Sequence, residues 1–569
     1  MYRVLRVDMS ALSVREEALP ERYAGLGGRG LTDRVLLDEV DPNCDPLGPH
    51  NKLIFATGLF AGFVSVSSSG RISVGTKSPL TGGIKESNGG GTLGHKLGRL
   101  GYRLIVVQGQ APAGQHFVLK IDQAGGRLLA ADNLWGQRCF PTVEALRAEH
   151  GAKAAVATIG PAGERGYLVS GVAVTDMEGQ PNRYCARGGV GAVMAKRGLK
   201  ALVVDDAGGS EPPVADRERF RAAAKRLNQA LLDHPITGET YPRYGTPGLV
   251  AFVNQIGAFP TFNFSRGSFD QAEEISGEKL YDVIVERGGQ GRTTHSCMPG
   301  CVIRSSNIFP DKEGRAFCSP MEFETLGLCG SNLGLGTLDA VAEVNRWCND
   351  LGIDTIELGA ALGVAMEAGV TRFGDLDGVR RLLGEIEHDT ALGRVIGAGA
   401  VGAARVLGVT RVPAVMGQAV SAYDPRVVKG NGVTYMTSPQ GADHTAGNTI
   451  RIKTSHTDPE GKAAMSRGAQ ISAAAIDTAG ICLFAGAPIG ANQDLVRDLV
   501  AALTGAEVPP DYWTRLGTQT LRCECEFNEK AGVPPIRSRM PEMYREEPLP
   551  PTGSVFDVPL AEIEEIIRF

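Results

Sequence analysis

The chain changes character near residue 210, and this change constrains its fold more than any other feature. Before that point, short β-rich runs are separated by glycine turns, as is typical of strands. The clearest runs are 53–56, 103–107 and 201–204. After a linker of glycine and proline at 208–213, longer patterns of helical spacing begin with residues 216–232. This order predicts an α+β fold, with a β-rich base domain at 1–208 and two mostly helical domains at 209–410 and 411–569. No long repeat is evident in the sequence.

Composition and charge exclude several classes of protein. A net charge of −6 and the lack of a basic run argue against a nucleic-acid-binding surface, which needs clustered Lys and Arg. No long run of residues is apolar throughout, so we expect no helix that crosses a membrane. The first residues alternate between charged and apolar types, which favours a strand over a signal peptide. Eleven cysteines are too few for a disulfide scaffold in 569 residues, so we expect a cytoplasmic protein with reduced thiols or metal ligands.

Glycine accounts for 75 of the 569 residues, well above the typical share of about 7%, and it clusters in segments that also carry polar side chains. The main segments are Ser67–Arg71, Lys77–Gly83, Ser87–Gly91 and Ala186–Ala192. Successive glycines expose backbone N–H groups and an arginine supplies two parallel donors, which together suit a phosphate group. The alternative interpretation is that these segments are only turns of a β domain. The residues alone leave both interpretations open.

In this order, the glycine segments resemble the N-terminal domain of the aldehyde:ferredoxin oxidoreductase family. In that family a single metal, usually tungsten, is held by the dithiolenes of two pyranopterins, whose phosphates are bridged by a magnesium ion. The resemblance implies that Arg71 and Arg187 face the phosphates. It also implies that the backbone approaches the magnesium ion (Mg2+) at Asn88, Gly89 and Gly188. The protein itself would supply no direct ligand to tungsten, or to molybdenum in its place.

Two further segments, Asn349–Asp354 and Asp477–Cys482, share a polar-x-x-Gly-Ile-polar form. Each segment alone is also typical of a helix that ends with a glycine C-cap. The family carries D-x-x-G-L-D and D-x-x-G-L-C motifs whose acids hydrogen-bond the amino edges of the two pterins. The resemblance therefore implies cofactor contacts from Asn349, Gly352, Asp354, Asp477, Gly480 and Ile481. An asparagine carbonyl accepts a hydrogen bond from an amine as a carboxylate does, so asparagine at the first leading position is compatible with this role.

An iron–sulfur cluster generally requires four ligands, and the family uses C-x-x-C-x-x-x-C together with the cysteine that ends the second pterin motif. Cys297, Cys301 and Cys482 match three of these positions, but Thr294 stands where the first cysteine belongs. The resemblance implies a [4Fe-4S] cluster held by the three thiolates. The fourth ligand could be His295, Cys318 or another cysteine. Otherwise the cluster could have three protein ligands or be lost, and the three cysteines could be ordinary buried thiols.

Proton transfer at neutral pH favours a carboxylate in a water-poor pocket or an imidazole. Glu324 lies in a segment that resembles the family's E-Y-E-T sequence, and His444 lies in a loop rich in glycine and polar residues. Glu343 lies on a predicted helix that has Thr337 as its N-cap and ends near Gly352. Each of the three acid–base candidates is also explained as a solvated or core side chain. The resemblance implies that all three lie close to the metal.

The resemblance as a whole implies an oxidoreductase with the cofactor at the junction of the base and helical domains. An aldehyde would be oxidised to a carboxylic acid at the tungsten–bis-pyranopterin centre, and electrons would leave singly through the cluster to ferredoxin or an iron–sulfur partner subunit. One alternative is a related pterin enzyme that reduces an acyl-CoA or an aromatic ring at low potential. Another is a non-enzymatic pterin-binding protein that lacks the cluster. We also expect a homo-oligomer, with no nucleic-acid and no membrane partner.

Overall fold

The computed structural model describes residues 2–533, 540–567 and 569. Among these, residues 3–204 form two six-stranded sheets. The first sheet contains β1 Arg3–Asp8, β2 Ser13–Ala18, β3 Leu53–Thr57, β4 Ile72–Lys77, β5 Ile84–Gly89 and β6 Tyr102–Gln108. The second contains β7 Phe117–Asp122, β8 Gly125–Ala130, β9 Ala155–Thr158, β10 Val172–Val174, β11 Arg183–Cys185 and β12 Leu199–Val204. The intervening helices are α1 Gly28–Glu39, α2 Leu93–Arg99, α3 Cys139–His150, α4 Pro161–Glu164 and α5 Val190–Lys196.

The two sheets have the same topology, so the base contains a structural repeat that the sequence does not reveal. The strand orders are β2-β1-β6-β3-β4-β5 and, read from the equivalent edge, β8-β7-β12-β9-β10-β11. In each sheet the pair β1–β6 or β7–β12 is parallel, and its neighbours are antiparallel. Buried residues of both sheets, including Phe55, Val107, Leu119 and Val204, belong to one apolar core. The sheets therefore pack face to face, and this core stabilises the two halves as one unit.

The rest of the chain is mostly helical. Its helices are α6 Arg217–Asp233, α7 Tyr241–Tyr244, α8 Val250–Gln255, α9 Gly277–Arg287, α10 Phe323–Leu328, α11 Leu338–Leu351, α12 Thr355–Glu367, α13 Leu376–Glu387, α14 Ala391–Gly397, α15 Gly399–Leu407, α16 Lys429–Thr437, α17 Lys462–Ala479, α18 Gly486–Ala491, α19 Asp494–Thr504, α20 Tyr512–Lys530, α21 Glu542–Glu546 and α22 Leu560–Ile566. Short strands also occur here, namely β13 Arg292–His295, β14 Ser306–Pro310, β15 Ala316–Cys318, β16 Ala414–Val415 and β17 Gln418–Ala419. The predicted α+β class is confirmed.

The predicted helix that carries Glu343 is confirmed together with both of its ends. The Thr337 hydroxyl accepts a hydrogen bond from the Ala340 backbone N–H at 3.3 Å, as an N-cap does. Gly352 closes α11 in the left-handed region, with φ of 79°. These local signals mark both ends of α11.

The helical part does not separate cleanly at residue 410. One large apolar core joins Val364 and Ala404 to Val433 and Tyr544, which lie on the other side of that position. The division at 410 therefore stays a prediction. What matters for function is that helices from both segments reach the base domain.

Candidate functional site

Two helix ends meet the base domain in the same way, one on each half. The end of α17, Gly480, packs on the residue after β3, Gly58; a side chain at Gly58 would place its Cβ 2.5 Å from Gly480 Cα. The end of α11, Gly352, packs near the second residue after β9, Gly160, and a Cβ at Gly352 would lie 2.7 Å from Gly160 N. Since β3 and β9 are equivalent strands, each half of the base receives one of the two predicted pterin motifs.

Backbone hydrogen bonds fix the residues that follow each helix end. Cys482 N donates to Ser68 O at 2.7 Å, and Asp354 N donates to Val169 O at 2.8 Å. Ile481 lies fully buried in an apolar core. Both motifs are therefore held between the base domain and the helices, where the sequence predicts the cofactor.

Arg71 and Asn88 lie side by side at the edge of the first sheet. Arg71 Nε donates to the Asn88 side-chain oxygen, and Nη2 donates to the Asn88 backbone oxygen at 3.2 Å. The arginine is deep inside the protein, yet both side chains keep accessible surface, which therefore faces an interior cavity. Among the described residues, Arg71 Nη1 has no hydrogen-bond partner. Gly89 ends β5 so close to Cys185 that a Cβ would lie 2.7 Å from its sulfur. This edge thus offers an anion a free guanidinium N–H group.

Asp477 lies in a buried network of charges. Arg29 Nη1 donates to Asp477 Oδ2 at 3.4 Å, and the same guanidinium binds Glu524 through two bonds of 2.6 and 2.9 Å. Burial raises the pKa of Asp477 to about 6, and the charges of Arg29 and Arg71 limit the rise. Burial and the charge of Asp477 raise the pKa of Glu86 to about 7. Within the described chain, Glu86 Oε1 is buried without a hydrogen-bond partner. A ligand with N–H donors would satisfy that oxygen.

Arg187 joins the base domain to loops of the helical part. Its Nε donates to Asp354 Oδ2 at 3.2 Å. Its Nη1 and Nη2 donate to the backbone oxygens of Ala442 at 2.8 Å and Ala419 at 2.7 Å. These acceptors occupy the guanidinium, so the structure does not support the prediction that Arg187 faces a phosphate. Instead, Arg187 positions Asp354 and the two loops.

Hydrogen bonds connect several of the predicted cofactor residues to one another or to their neighbours. Ser87 Oγ accepts a hydrogen bond from Arg187 N at 3.1 Å, which joins β5 to the turn after β11. In that turn, the Gly188 carbonyl accepts a hydrogen bond from a serine hydroxyl at 2.8 Å. Tyr184 on β11 donates its hydroxyl to Asn349 O, and the Asn349 side-chain amide donates to a neighbouring carbonyl at 3.1 Å. The structure thus brings both motifs and both glycine segments together, while their roles in binding a cofactor stay predictions.

Glu324 and His444 form an acid–base pair. Glu324 Oε1 lies 3.3 Å from His444 Nε2, and His444 Nδ1 lies 2.9 Å from Ser421 Oγ. Burial raises the pKa of Glu324, and the adjacent histidine limits the rise. Burial alone would raise the pKa of Asp443, the next residue, but the Lys85 ammonium at 2.8 Å holds it well below its usual range. Glu324 therefore holds a proton more readily than an exposed glutamate does, while Asp443 stays ionised.

The structure does not bring Glu343 to this pair. Both of its carboxylate oxygens accept hydrogen bonds from Arg380 on α13, at 2.7 and 2.6 Å. The side chain is 28% exposed and lies on the outer face of α11. The predicted helix is present, but its pattern does not indicate which face is covered, because α13 is brought to it by tertiary packing. Glu343 is therefore corrected from an acid–base candidate to a surface ion-pair residue.

Two of the three predicted cluster cysteines, Cys301 and Cys482, contact Ser68, and the third, Cys297, forms a hydrogen bond with Cys301. The Ser68 hydroxyl lies 3.5 Å from Cys301 Sγ, and the Ser68 carbonyl accepts the hydrogen bond from Cys482 N. A hydrogen bond from Cys297 lowers the pKa of Cys301 to about 7, although burial opposes this. Burial raises the pKa of Cys482 to about 11, and the charge of Arg71 limits the rise. In residues 2–533, 540–567 and 569, no three His, Cys, Asp or Glu side chains converge as they would on a single metal ion.

The predicted alternatives for a fourth cluster ligand do not join these cysteines. The Thr294 hydroxyl donates to the Pro242 carbonyl at 2.6 Å on an exposed strand. His295 is held by Glu178, 2.8 Å from Nε2, and by an arginine 3.3 Å from Nδ1. Cys318 lies in the core of the helical part, 3.0 Å from an asparagine amide on α11. Because these side chains have other partners, neither His295 nor Cys318 is placed to act as a fourth cluster ligand.

Sequence reasoning missed several residues of the site. Glu322 lies deep in the protein with accessible surface; burial raises its pKa, and the Thr246 hydroxyl donates to it. The only indication of its role in the sequence is its position two residues before Glu324. Arg29 stands between glycines in the sequence, and Glu86 immediately precedes a predicted glycine segment. Neither charge could be identified as buried from its neighbours alone.

Fold and site together define a class of protein in which buried carboxylates, guanidinium groups and thiols lie between a two-sheet base and a helical cover. No helix in the described part of the chain is long and apolar enough to cross a membrane. The model of the aldehyde ferredoxin oxidoreductase N-terminal domain matches residues 4–206, and the model of domains 2 and 3 matches residues 222–568. The chain belongs to the aldehyde ferredoxin oxidoreductase family and is therefore an oxidoreductase enzyme.

Individual relatives agree with this assignment. The tungsten-containing aldehyde ferredoxin oxidoreductases of Pyrococcus furiosus and Thermococcus kodakarensis are each 33% identical, over 96% of this chain and 92% of theirs. The WOR-like subunit of an aliphatic sulfonate oxidoreductase from Pyrococcus furiosus is 25% identical over 90% of this chain and 83% of its own. Among solved structures, the active site complex BamBC of benzoyl coenzyme A reductase has a TM-score of 0.79 at 20% identity, covering 99% of this chain and 92% of that one. At this identity the structural match shows the fold.

Proposed function

We propose that the protein oxidises an aldehyde to a carboxylic acid at a tungsten–bis-pyranopterin centre and passes the electrons to a ferredoxin or an iron–sulfur subunit. The reaction RCHO + H2O → RCOOH + 2 H+ + 2 e− requires the protein to take up water, release protons and export electrons. The names of the relatives at 33% identity support this reaction. The observation that carries the proposal is the segment Asp477–Cys482, which presents a buried carboxylate and a buried thiol at one helix end.

The residues present fit a pair of pterins. The metal and its pterins would supply the two-electron redox chemistry when bound. Asp477 and the unpaired Glu86 oxygen would accept hydrogen bonds from the amino edge of one pterin, and Asn349 would do so for the other. Arg71 Nη1 would bind a phosphate. The backbone near Asn88, Gly89 and Gly188 would lie by the bridging magnesium ion.

We assign a [4Fe-4S] cluster to Cys297, Cys301 and Cys482, with three protein thiolates. The hydrogen bond between Cys297 and Cys301 lowers the pKa of Cys301 and raises that of Cys297, so within this pair the thiolate that binds iron forms first on Cys301. Cys482 follows Asp477 by a single turn, so the proposed cluster lies beside the proposed pterin site. Electrons would then travel a short path to the protein surface near Thr294, which is exposed.

Glu324 and His444 would handle the protons of the reaction. Glu324 Oε1 lies 3.3 Å from His444 Nε2 and has no hydrogen-bond partner among the described residues, so it is placed to accept a proton from a bound substrate or water beside the imidazole. The raised pKa of Glu324 lets it hold a proton closer to neutral pH than an exposed glutamate does. Asp443, held ionised by Lys85, would stabilise an imidazolium on His444, whose Nδ1 lies 3.7 Å from Asp443 Oδ1.

We place the protein in the cytoplasm and expect a homo-oligomer with no nucleic-acid partner. Membership of an enzyme family disfavours the interpretation as a non-enzymatic carrier. The alternative reaction, low-potential reduction of an acyl-CoA or an aromatic ring, would use the same cofactor. An activity assay distinguishes it from aldehyde oxidation.

Anaerobic assays with benzaldehyde and oxidised benzyl viologen test the proposal. We expect one benzoate for each two viologens reduced. Glu324→Gln should lower kcat by a factor of about 100 or more because general acid–base catalysis is lost, whereas Glu343→Gln, on the outer face of α11, should stay within about twofold. If the metal-loaded enzyme oxidises no aldehyde but consumes reduced viologen in the presence of benzoyl-CoA, aldehyde oxidation is refuted and the alternative reaction is favoured.

A further inference from the structure

A cavity of about 670 Å³ opens on the helical part, and the residues that line it combine two chemistries. Its wall is largely apolar, and two large apolar side chains at it, Phe252 and Ile452, are 41% and 39% exposed. Arg451 and Lys453 line the same cavity, and none of its described lining residues is acidic. A volume of this size is typical of a small-molecule site.

No acidic side chain of the described residues pairs with the two cations of this cavity. Within the part of the chain that the structure describes, neither Arg451 nor Lys453 forms an ion pair. The Arg451 guanidinium instead lies 4.9 Å from the centre of the Tyr241 ring, stacked on an aromatic face. Exposed arginine and lysine side chains elsewhere on the chain commonly pair with acids, as Arg226 does with Asp498. Unpaired cations above an apolar wall are complementary to an anion with an apolar body.

Two segments that line the cavity also reach the surroundings of the acid–base pair. A helical turn, Thr246–Leu249, lines the cavity with its last residues, while its first residue donates a hydroxyl hydrogen bond to Glu322. The second segment leads along the chain from His444 to Ile450 and Arg451 at the cavity wall, and the His444 ring lies 5.9 Å from that of Tyr423. The cavity wall and the surroundings of the acid–base pair are therefore built from the same two segments.

We propose that this cavity admits the substrate and selects aldehydes that carry a carboxylate on an apolar body. The proposal rests on the proposed function and adds the class of substrate. The carboxylate is bound by Arg451 and Lys453 at the mouth, while the apolar body packs on Phe252 and its neighbours and the aldehyde group points inward. A neutral aldehyde uses the same apolar wall without the charged contact.

Equilibrium binding of non-reactive probes to the holoenzyme tests the cavity separately from catalysis. 4-Methylbenzoate should bind about five to ten times more tightly than 4-methylbenzamide at low salt, as expected for a partly exposed charge-assisted contact. The ratio should fall as ionic strength rises. Arg451→Gln combined with Lys453→Gln should bring the ratio within about twofold, while Phe252→Ser should weaken both probes alike. Arg219→Gln, which replaces an exposed arginine outside this cavity, is the matched control and should leave the ratio unchanged.

Equal binding of the two probes to the wild-type enzyme, or a preference that survives the double substitution, overturns the proposal. Catalysis supplies the second arm, because 4-carboxybenzaldehyde should have the higher kcat/KM compared with methyl 4-formylbenzoate, and this advantage should disappear in the double variant. If the probes show the expected preference but neither aldehyde is oxidised, the cavity proposal stands as a binding site and the proposed reaction fails. If both aldehydes are oxidised equally and the probes bind equally, the reaction stands and the selectivity fails.

Discussion

Replacing Gly58 by alanine probes the contact that holds the second pterin motif against the base domain. A Cβ at Gly58 would lie 2.5 Å from Gly480 Cα and 2.6 Å from Ala479 O, and both of these are backbone atoms that cannot rotate away. Ordinary contacts begin near 3.4 Å, so the two backbones must separate by about 0.9 Å, the difference between 3.4 and 2.5 Å. The end of α17 would move with Asp477 and Cys482 on it.

Two contributions determine how much Gly58→Ala lowers the free energy of unfolding. Overpacking of this kind costs about 1–3 kcal/mol. The hydrogen bond from Leu59 N to Ala479 O, 2.9 Å long, would lengthen or break, which costs about 1 kcal/mol. Together they lower the free energy of unfolding by about 2–4 kcal/mol, a large part of the 5–15 kcal/mol typical of a folded protein.

Guanidinium denaturation followed by circular dichroism measures the effect, and the iron content of the purified variant reports the position of Cys482. Gly160→Ala is the parallel change on the other half, where the Cβ would lie 2.5 Å from Leu351 C. Gly384→Ala on α13 is the matched control, because nothing lies within 4 Å of its Cβ, and it should stabilise by about 0.5–1 kcal/mol. If Gly58→Ala proves as stable as the control and keeps its iron, the close contact does not position the motif.

Three further changes test separate parts of the site. The pKa of Glu86 is raised to about 7 in the folded protein from about 4.5, so the folded state loses stability as pH rises through that range. Glu86→Gln should therefore make cofactor-free protein more stable at pH 8, by up to about 3 kcal/mol, with little gain at pH 5. A gain in stability that does not change with pH would contradict this. Arg29→Met leaves two buried carboxylates unpaired and should cost about 3–5 kcal/mol, against less than about 0.5 kcal/mol for Arg34→Met, which removes an exposed pair on the same helix; similar denaturation midpoints would refute the buried network. Cys301→Ser should lose most of the iron, whereas Cys348→Ser, a buried cysteine in the helical core, should keep it; equal iron contents would exclude the cysteine assignment.

Features set by local chemistry were predictable from the sequence. The N-cap at Thr337, the glycine C-caps of α11 and α17, and the buried strands β3, β6 and β12 follow from side-chain hydrogen bonding, positive φ and runs of β-branched residues. For the segments Asn349–Asp354 and Asp477–Cys482, the sequence offered two interpretations, a glycine-capped helix end or a pterin motif, and the two are compatible. Each is a glycine-capped helix end, and the cap is what lets the helix approach the base domain.

Features set by long-range packing were not predictable. The repeated topology of the two sheets leaves no sequence repeat, because the same strand order is reached with different side chains. Arg187 binds carbonyl groups of residues more than 200 positions away, so nothing near it in the sequence indicates that its guanidinium is already occupied. Glu343 shows the same limit, since its partner Arg380 is supplied by a helix that only the tertiary fold places beside α11.

Elemental analysis of protein purified anaerobically from tungstate-supplied cells shows whether the chain holds a pterin-bound metal beside an iron–sulfur cluster. We predict about one tungsten and about four iron atoms per chain, with the iron lost in Cys301→Ser and the tungsten retained. Folded protein that contains neither tungsten nor molybdenum would contradict a cavity built for a pterin-bound metal.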